Sequence, residues 1–395
     1  MTGQKKPKIL IFCDYYLPGY KSGGGMRTIV NMIERLHTKF DFRVVTRDHD
    51  GKADKTPYKG VRIDDWNNIG NAQVYYLSQK SINLLKFREL IFEVEPDLIY
   101  FNSYFATLAI YVLILRRLTL LPQLSVVLAP CGELSAGALE LKSLKKKIFI
   151  AHANLLGLYK NVIWKASSEL EKREIERVKG SGGKILIAPD LPPRGILEKF
   201  STEMKPRKIA GEAKMVFLSR FARKKNFKFL LEKLSTIEGD LTIDIWGPIE
   251  EKSYWEECLE IIKSLPASIK IEARGTIPHE NVPEMLLKYH FFILPTLGEN
   301  FGHVFLEALA AGCPLIISDR TPWLDLEEKG IGWDLELETP EEWTKVLNQC
   351  LKMDEVTYSK LSNSARHFVL RWLSDPEIEE NTLTVLKSGL TNGLS

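Results

Sequence analysis

Two glutamates, Glu299 and Glu307, stand eight positions apart in the stretch PTLGENFGHVFLEALAAGCPLIISD at residues 295–319. The run HFFILPT (290–296) reads as a strand whose end passes through Leu297-Gly298-Glu299-Asn300-Phe301-Gly302 into a helix. Gly312 suits the C′ position of that helix, and Pro314 opens the next strand. A loop that leaves a parallel strand and feeds a helix N-terminus is where α/β proteins take ligands, and unpaired amides there stabilise phosphate. Glu307 falls in the second turn of the helix and Glu299 just ahead of it. A carboxylate accepts two hydrogen bonds from vicinal hydroxyls, as a ribose or a hexose offers. On spacing alone the pair also fits a plain loop residue and a solvated helix residue.

SRFARKKN (219–226) follows a second apolar run, KMVFLS, so Arg220 and Lys225 also sit at the carboxyl end of a strand. An arginine fork and a lysine point charge that converge there clamp a diphosphate; the alternative is a solvated basic turn. LPGYKSGGGMR (17–27) is a glycine-rich loop between the first strand and the first helix, and its glycines let backbone amides approach a ligand closely. It carries neither the G-x-G-x-x-G fingerprint nor the Gly-Lys-Ser/Thr of a Walker loop, which disfavours a nicotinamide-dependent oxidoreductase. Asp48-His49-Asp50 has the Asp-x-Asp spacing of a divalent-metal site but no third ligand nearby, and reads as a solvated or acceptor-side loop. The seven histidines show no zinc spacing, and no G-x-S-x-G nucleophile is present.

These residues need two scaffolds to hold them. The 395 residues suffice for two domains of roughly 150–200 residues each. In the first half KILIFCD, FRVVTR, DLIYFN and LSVVLAP read as strands, with a helix from about Gly25 that aligns Ile29, Met32, Ile33 and Leu36. The second half restarts the alternation with KMVFLSR, LTIDIWG, HFFILPT and PLIISD, the pattern of parallel α/β sheets. The polar stretch Ser201–Glu212 marks the expected crossover, which divides the chain into 1–203, 204–371 and a final helical segment 372–395 with Ile378, Leu383 and Leu386 on one face.

Charge is unevenly placed. Residues 1–200 hold 31 Lys and Arg against 20 Asp and Glu, and the remainder of the chain is acidic. The first half therefore faces something anionic, and the lack of any nucleic-acid motif favours a membrane surface over nucleic acid. LKSLKKKIFIAHANLLGLYKN (141–161) is amphipathic, with Leu141, Leu144, Ile148, Ala151 and Leu155 at helical spacing and Lys142, Lys145, Lys146 and Lys147 at its start. It reads either as a core-facing helix with a basic flank or as a helix resting on anionic lipid. Tyr104–Leu121 is apolar but broken by Arg116 and Arg117, too short to span a bilayer. Five scattered cysteines without a Cys-x-x-Cys pair point to reduced thiols and a cytoplasmic location. The apolar run near the N-terminus ends at Asp14 and reads as a strand rather than a signal-peptide core.

GGGMR, WKASSELEKREI (164–175), SRFARKKN and GENFGHVFLEALAAGCPLIISD together resemble the family-4 retaining glycosyltransferases, and Glu299 and Glu307 match that family's Glu-x7-Glu signature. RVVTRDHD, YWEEC and SDRTPW resemble the bacterial surface-polysaccharide branch. The resemblance implies the α/β GT-B fold, two Rossmann-like doubly wound parallel-sheet domains facing a cleft, with the last helix returning to the first domain. It implies a nucleotide sugar, UDP-linked, as donor substrate, a lipid-linked or glycan acceptor, no cofactor and no required metal. Arg220 and Lys225 would bind the diphosphate, Glu307 the ribose and Glu299 the sugar. The amides of Asn300, Phe301, Gly302 and His303 would meet phosphate or sugar, Gly24 and Gly25 would close over the diphosphate, and the base would rest near Gly247 and Ile277. Where many members carry a sugar-contacting histidine this chain reads APCGE, so Cys131 or a neighbour stands there, and Asp48 falls on the acceptor side. A GT-B epimerase and a noncatalytic nucleotide-sugar-binding subunit are the competing readings.

Overall fold

The computed structural model describes residues 5–20, 23–51, 55–140, 143–179, 183–196 and 205–392. Leu141, Lys142 and residues 201–204 of the expected crossover lie outside the described residues. The chain divides into two compact units, residues 1–194 with 376–395, and residues 195–375.

Eight strands build the sheet of the first unit: β1 (Lys8–Phe12), β2 (Asp41–Arg47), β3 (Trp66–Ile69), β4 (Ala72–Leu77), β5 (Leu98–Phe101), β6 (Ser125–Leu128), β7 (Ile163–Ala166) and β8 (Ile185–Ile187). Their order is β3-β4-β2-β1-β5-β6-β7-β8, parallel except for the β3–β4 hairpin at one edge. Parallel strands are covered on both faces, which is why ILIF of β1, after Lys8, and LIYF of β5 are continuously apolar and buried. The helix Gly24–Leu36 buries Ile29, Met32, Ile33 and Leu36, as its spacing predicts.

The last helix, Pro376–Asn392, packs on β5 to β8 of the first unit with Ile378, Leu383, Val385 and Leu386 buried. Gly389 lets it close: a Cβ there would lie 2.5 Å from the Leu98 side chain.

The second unit holds β9 (Glu212–Leu218), β10 (Asp240–Trp246), β11 (Ile269–Gly275), β12 (Phe291–Leu294), β13 (Leu315–Ser318) and β14 (Gly332–Leu335), all parallel, in the order β11-β10-β9-β12-β13-β14. Relabelled from the start of the unit this is 3-2-1-4-5-6, the doubly wound order whose direction reverses between β9 and β12. In the first unit the same reversal falls between β1 and β5. Each reversal opens a crevice at the carboxyl edge of its sheet, because successive right-handed crossovers leave on opposite faces there.

The division between the units falls at Arg194, upstream of the polar stretch that composition singles out. Side-chain bonds fix it: Asn31 Nδ2 donates to Leu191 O at 2.8 Å and Arg35 Nε to Pro192 O at 2.9 Å. Thr28 Oγ1 donates to Asp190 at 2.7 Å, and the other oxygen of that buried carboxylate accepts from Lys165 Nζ at 2.6 Å. Ile196 already belongs to the core of the second unit.

Helix Ser143–Leu155 departs from the core-facing reading. Phe149, Ile150 and Ala153 make its inward contacts, while Leu144, Ile148, Ala151 and Leu155 point outward. No helix among the described residues is long and apolar enough to cross a membrane.

Candidate active site

At the reversal in the second sheet, the chain leaves β9 through a single 3-10 turn, Arg223–Lys225, and leaves β12 through Pro295–Gly302. The two loops are tied together at Lys224, and the loop after β13 holds Glu299. Lys224 O accepts from Leu297 N at 2.8 Å and from Thr296 Oγ1 at 3.2 Å, and Glu299 N donates to Arg320 O at 3.0 Å. This stitching sets the buried Lys225 ammonium on the Glu299 carboxylate as a hydrogen-bonded ion pair, and Asn300 N donates to the other Glu299 oxygen at 3.3 Å. Burial alone would push the Glu299 carboxyl up. The charges of Lys225 and Lys224, with the hydrogen bonds from Lys225 and Asn300, override it and hold the group down at about 2. Glu299 is therefore a carboxylate at any physiological pH.

The helix His303–Ala310 begins beside this pair. Gly302 adopts φ 76°, and a Cβ there would lie 2.4 Å from the Phe305 ring, so both backbone and space require glycine. Trp323 Nε1 donates to Phe301 O at 2.6 Å, and the Phe301 ring packs among His303, Trp323 and Trp372. The cap residue Gly302 offers no side chain and no acid occupies the first turn, so the positive end of the helix dipole keeps its attraction for an anion.

Glu307, buried in the second turn, accepts from His279 Nε2 at 2.8 Å. A ring nitrogen that faces a carboxylate carries the proton, so His279 fixes the Glu307 rotamer and leaves its second oxygen for another donor. His279 follows Gly275-Thr276-Ile277 on the segment after β11, and Ile277 packs against the core. Sequence reasoning missed His279, because a single histidine far from Glu307 in the chain has no spacing to betray it.

Arg220 is not brought to Lys225. It is exposed, and its Nη1 lies 2.9 Å and 3.0 Å from the Glu250 carboxylate oxygens, on the loop after β10. Gly247, at φ 132°, is required by the fold itself, since a Cβ there would lie 2.0 Å from Ser219 O, where the parallel strands β9 and β10 end side by side.

At the reversal in the first sheet, Gly23 (φ 77°) turns the chain into the helix that starts at Gly24 and Gly25. Lys21 and Ser22 of the loop lie outside the described residues. Asn102, just past β5, donates from Nδ2 to Gly25 O at 2.6 Å and accepts from Cys131 Sγ at 3.2 Å. Cys131 sits at φ 52°, and Gly132 N donates to Glu171 Oε1 at 2.7 Å. Burial first, then the nearby Asp190 and Glu171 charges, push the Cys131 thiol well above its ordinary range. Cys131 is thus a neutral donor that holds Asn102, not a nucleophile. Asn102 carries no sequence signal of its own, and Glu171 lies within WKASSELEKREI (164–175), a stretch that assigns it no role.

Asp48, His49 and Asp50 are buried, which corrects the solvated-loop reading. Residues 16–20 and Tyr58 close over them: Tyr20 N donates to Asp50 Oδ2 at 2.8 Å, Tyr58 N to Asp48 O at 2.7 Å, and His49 Nδ1 lies 2.8 Å from Asp48 Oδ1.

Residues 199–368 match the family model described as glycosyl transferases group 1. Among curated proteins the chain is similar to the UDP-N-acetylglucosamine–peptide N-acetylglucosaminyltransferase GtfA subunit of Streptococcus parasanguinis, 28% identical over 31% of this chain and 23% of that one. It is also similar to mannosylfructose-phosphate synthase of Agrobacterium fabrum, 26% identical over 29% of this chain and 28% of that one. The chain thus spans about a quarter of the length of these curated relatives. Among solved structures, sucrose-phosphate synthase from Thermosynechococcus elongatus superposes with a TM-score of 0.73 at 16% identity, covering 97% of this chain and 99% of that one. Anabaena HepE in complex with UDP and glucose superposes with a TM-score of 0.69 at 15% identity, covering 97% and 100%. These likenesses identify the fold as GT-B.

The ionised Glu299 contributes stability that is fully present above the ordinary glutamate range, near 4.5, and is lost as pH falls toward about 2. The advantage of the wild type over Glu299→Gln in denaturant unfolding is expected to be level above about pH 5 and to shrink steadily below it. An advantage that holds constant through that window would contradict the assignment.

Proposed function

Because residues 199–368 match the group 1 glycosyltransferase model and the fold is GT-B, we propose that this protein is a retaining glycosyltransferase. It moves a sugar from a UDP-sugar to a hydroxyl of a lipid-linked or polysaccharide acceptor in bacterial surface-polysaccharide synthesis, on the cytoplasmic side of an anionic membrane. The observation that carries the reading is the Lys225–Glu299 pair beside the uncapped helix that bears Glu307, at the reversal point of the second sheet. The neighbour crystallised with UDP and glucose, and the relative named for a UDP-sugar, favour uridine as the base.

In this reading Lys225 and the amides at the helix start hold the donor diphosphate, and Glu307, oriented by His279, accepts from the ribose hydroxyls. Glu299 accepts from the sugar, and Arg220 reaches the diphosphate by exchanging Glu250 for it. Bond cleavage leaves negative charge on the diphosphate, and lysine, arginine and helix-end amides stabilise it as it develops. The acceptor attacks from the leaving-group side, and its proton passes to the departing phosphate. No carboxylate nucleophile is required, and configuration is retained.

A panel of UDP- and GDP-sugars scored by melting temperature tests the donor assignment, since a ligand that binds the folded state stabilises it. A UDP-sugar is expected to raise the midpoint and Glu307→Ala to abolish the rise. His279→Ala is expected to weaken binding about tenfold, the cost of one hydrogen bond to a charged group, and His279→Gln to recover most of it. An unchanged rise in Glu307→Ala would rule out the ribose role.

Sugar transfer, followed as acceptor-dependent UDP release, is expected to persist in excess EDTA. Loss of turnover that Mg²⁺ restores would refute metal independence, and UDP release without any dependence on acceptor would favour a noncatalytic subunit or an epimerase.

A further inference from the structure

The helix Ser143–Leu155 turns its leucines the wrong way for a core element. Phe149 packs against Tyr104 and Phe105, and Ala153 is buried, so the inward face is accounted for. On the outward face Leu144 is 71% exposed, Ile148 49% and Leu155 83%, followed by Leu156 at 61%. Residues 144, 148 and 155 align along one side of a helix.

A second segment joins this surface. Arg117 Nε donates to Leu156 O at 2.8 Å and Arg116 Nη1 to Lys160 O at 2.7 Å, and the exposed Leu118 and Leu120 follow directly. Single exposed aliphatic residues are ordinary, but a group of them drawn together by these bonds marks a surface that something covers.

The charges around them say what. Lys145 and Lys147 are exposed between the outward leucines, Arg116, Arg117 and Lys160 stand at the other end, and residues 141–161 contain no Asp or Glu. A second copy of the chain would bring the same cations against themselves, which opposes self-association. A lipid surface with anionic headgroups satisfies both features at once: leucines enter the boundary of the acyl chains while lysines and arginines meet phosphate.

We propose that the outward face of residues 143–160, with Leu118 and Leu120, is the surface by which this protein docks on anionic lipid. The proposal rests on the membrane-side reading above for its purpose, since a lipid-linked acceptor must be met at a membrane, but not for its observations.

The test is co-sedimentation of the full chain with vesicles of phosphatidylcholine alone and of phosphatidylcholine with phosphatidylglycerol. Two double variants accompany it, Leu144→Asp with Leu155→Asp, and Lys145→Glu with Lys147→Glu. All four positions are exposed, so the melting midpoint and the UDP-sugar-dependent rise are expected to match the wild type and to certify the fold. The wild type is expected to bind phosphatidylglycerol-containing vesicles, weakening with salt, and each double variant to lose about tenfold or more in partitioning. Three results would overturn the proposal: no vesicle binding, equal binding to phosphatidylcholine alone, or binding undiminished in both variants. Self-association of the wild type that the aspartate pair abolishes would also overturn it, by assigning the face to a second copy. A lost UDP-sugar response with intact vesicle binding would leave the surface standing and strike the donor assignment instead.

Discussion

A lysine buried in a protein needs a counter-charge, and here the counter-charge stands on a different loop. Lys225 and Glu299 meet only because β9 and β12 are hydrogen-bonded neighbours whose following helices leave in opposite directions. The bonds of Leu297 and Thr296 to Lys224 O and of Glu299 N to Arg320 O hold the loops that carry the pair, so two opposite charges sit fixed at the mouth of the crevice. Removing Glu299 would leave Lys225 buried without its counter-charge, which costs ~3–5 kcal/mol in comparable pairs. The pair, the helix start at Gly302 and the His279–Glu307 bond share one unit and one sheet edge.

The first unit uses the same geometry with different chemistry. Its reversal point holds the glycine-rich helix start, the Asn102 amide and the Cys131 thiol, with Asp14 paired to Arg47 at the end of β1. Asn102 ties Gly25 to the loop after β6, so the glycine loop is positioned from behind by a side chain no motif announces. Lys165 and Asp190 lock the helix Gly24–Leu36 to the last residues before the division, which places the end of the unit at Arg194.

The parts of the fold that are legible in the sequence are those where one periodicity has one physical cause. Strands buried on both faces leave unbroken apolar runs, and the helix from Gly24 leaves its buried stripe. The run of β7 is broken by Lys165, that of β8 is only three residues long, and β11 alternates apolar with charged residues, so these strands stand out less in the chain. Amphipathicity is legible in residues 141–161, but the direction the stripe faces is not, since water, core and lipid all accept the same spacing. At the site, Glu299, Glu307 and Lys225 stand out by type and position. Arg220 ends on Glu250, and His279 is recruited across the chain, because partners distant in sequence are chosen by folding alone.

The donor site proposed for the second unit turns on one contact, Lys225 against the diphosphate of a uridine nucleotide at the β9–β12 crevice. Calorimetric titration of UDP into the wild type and into Lys225→Met decides whether it exists. Saturable binding to the wild type is expected, weakened about tenfold to a hundredfold in the variant by loss of a charge-assisted hydrogen bond. UDP binding of equal strength to both proteins, with the variant folded, would contradict it.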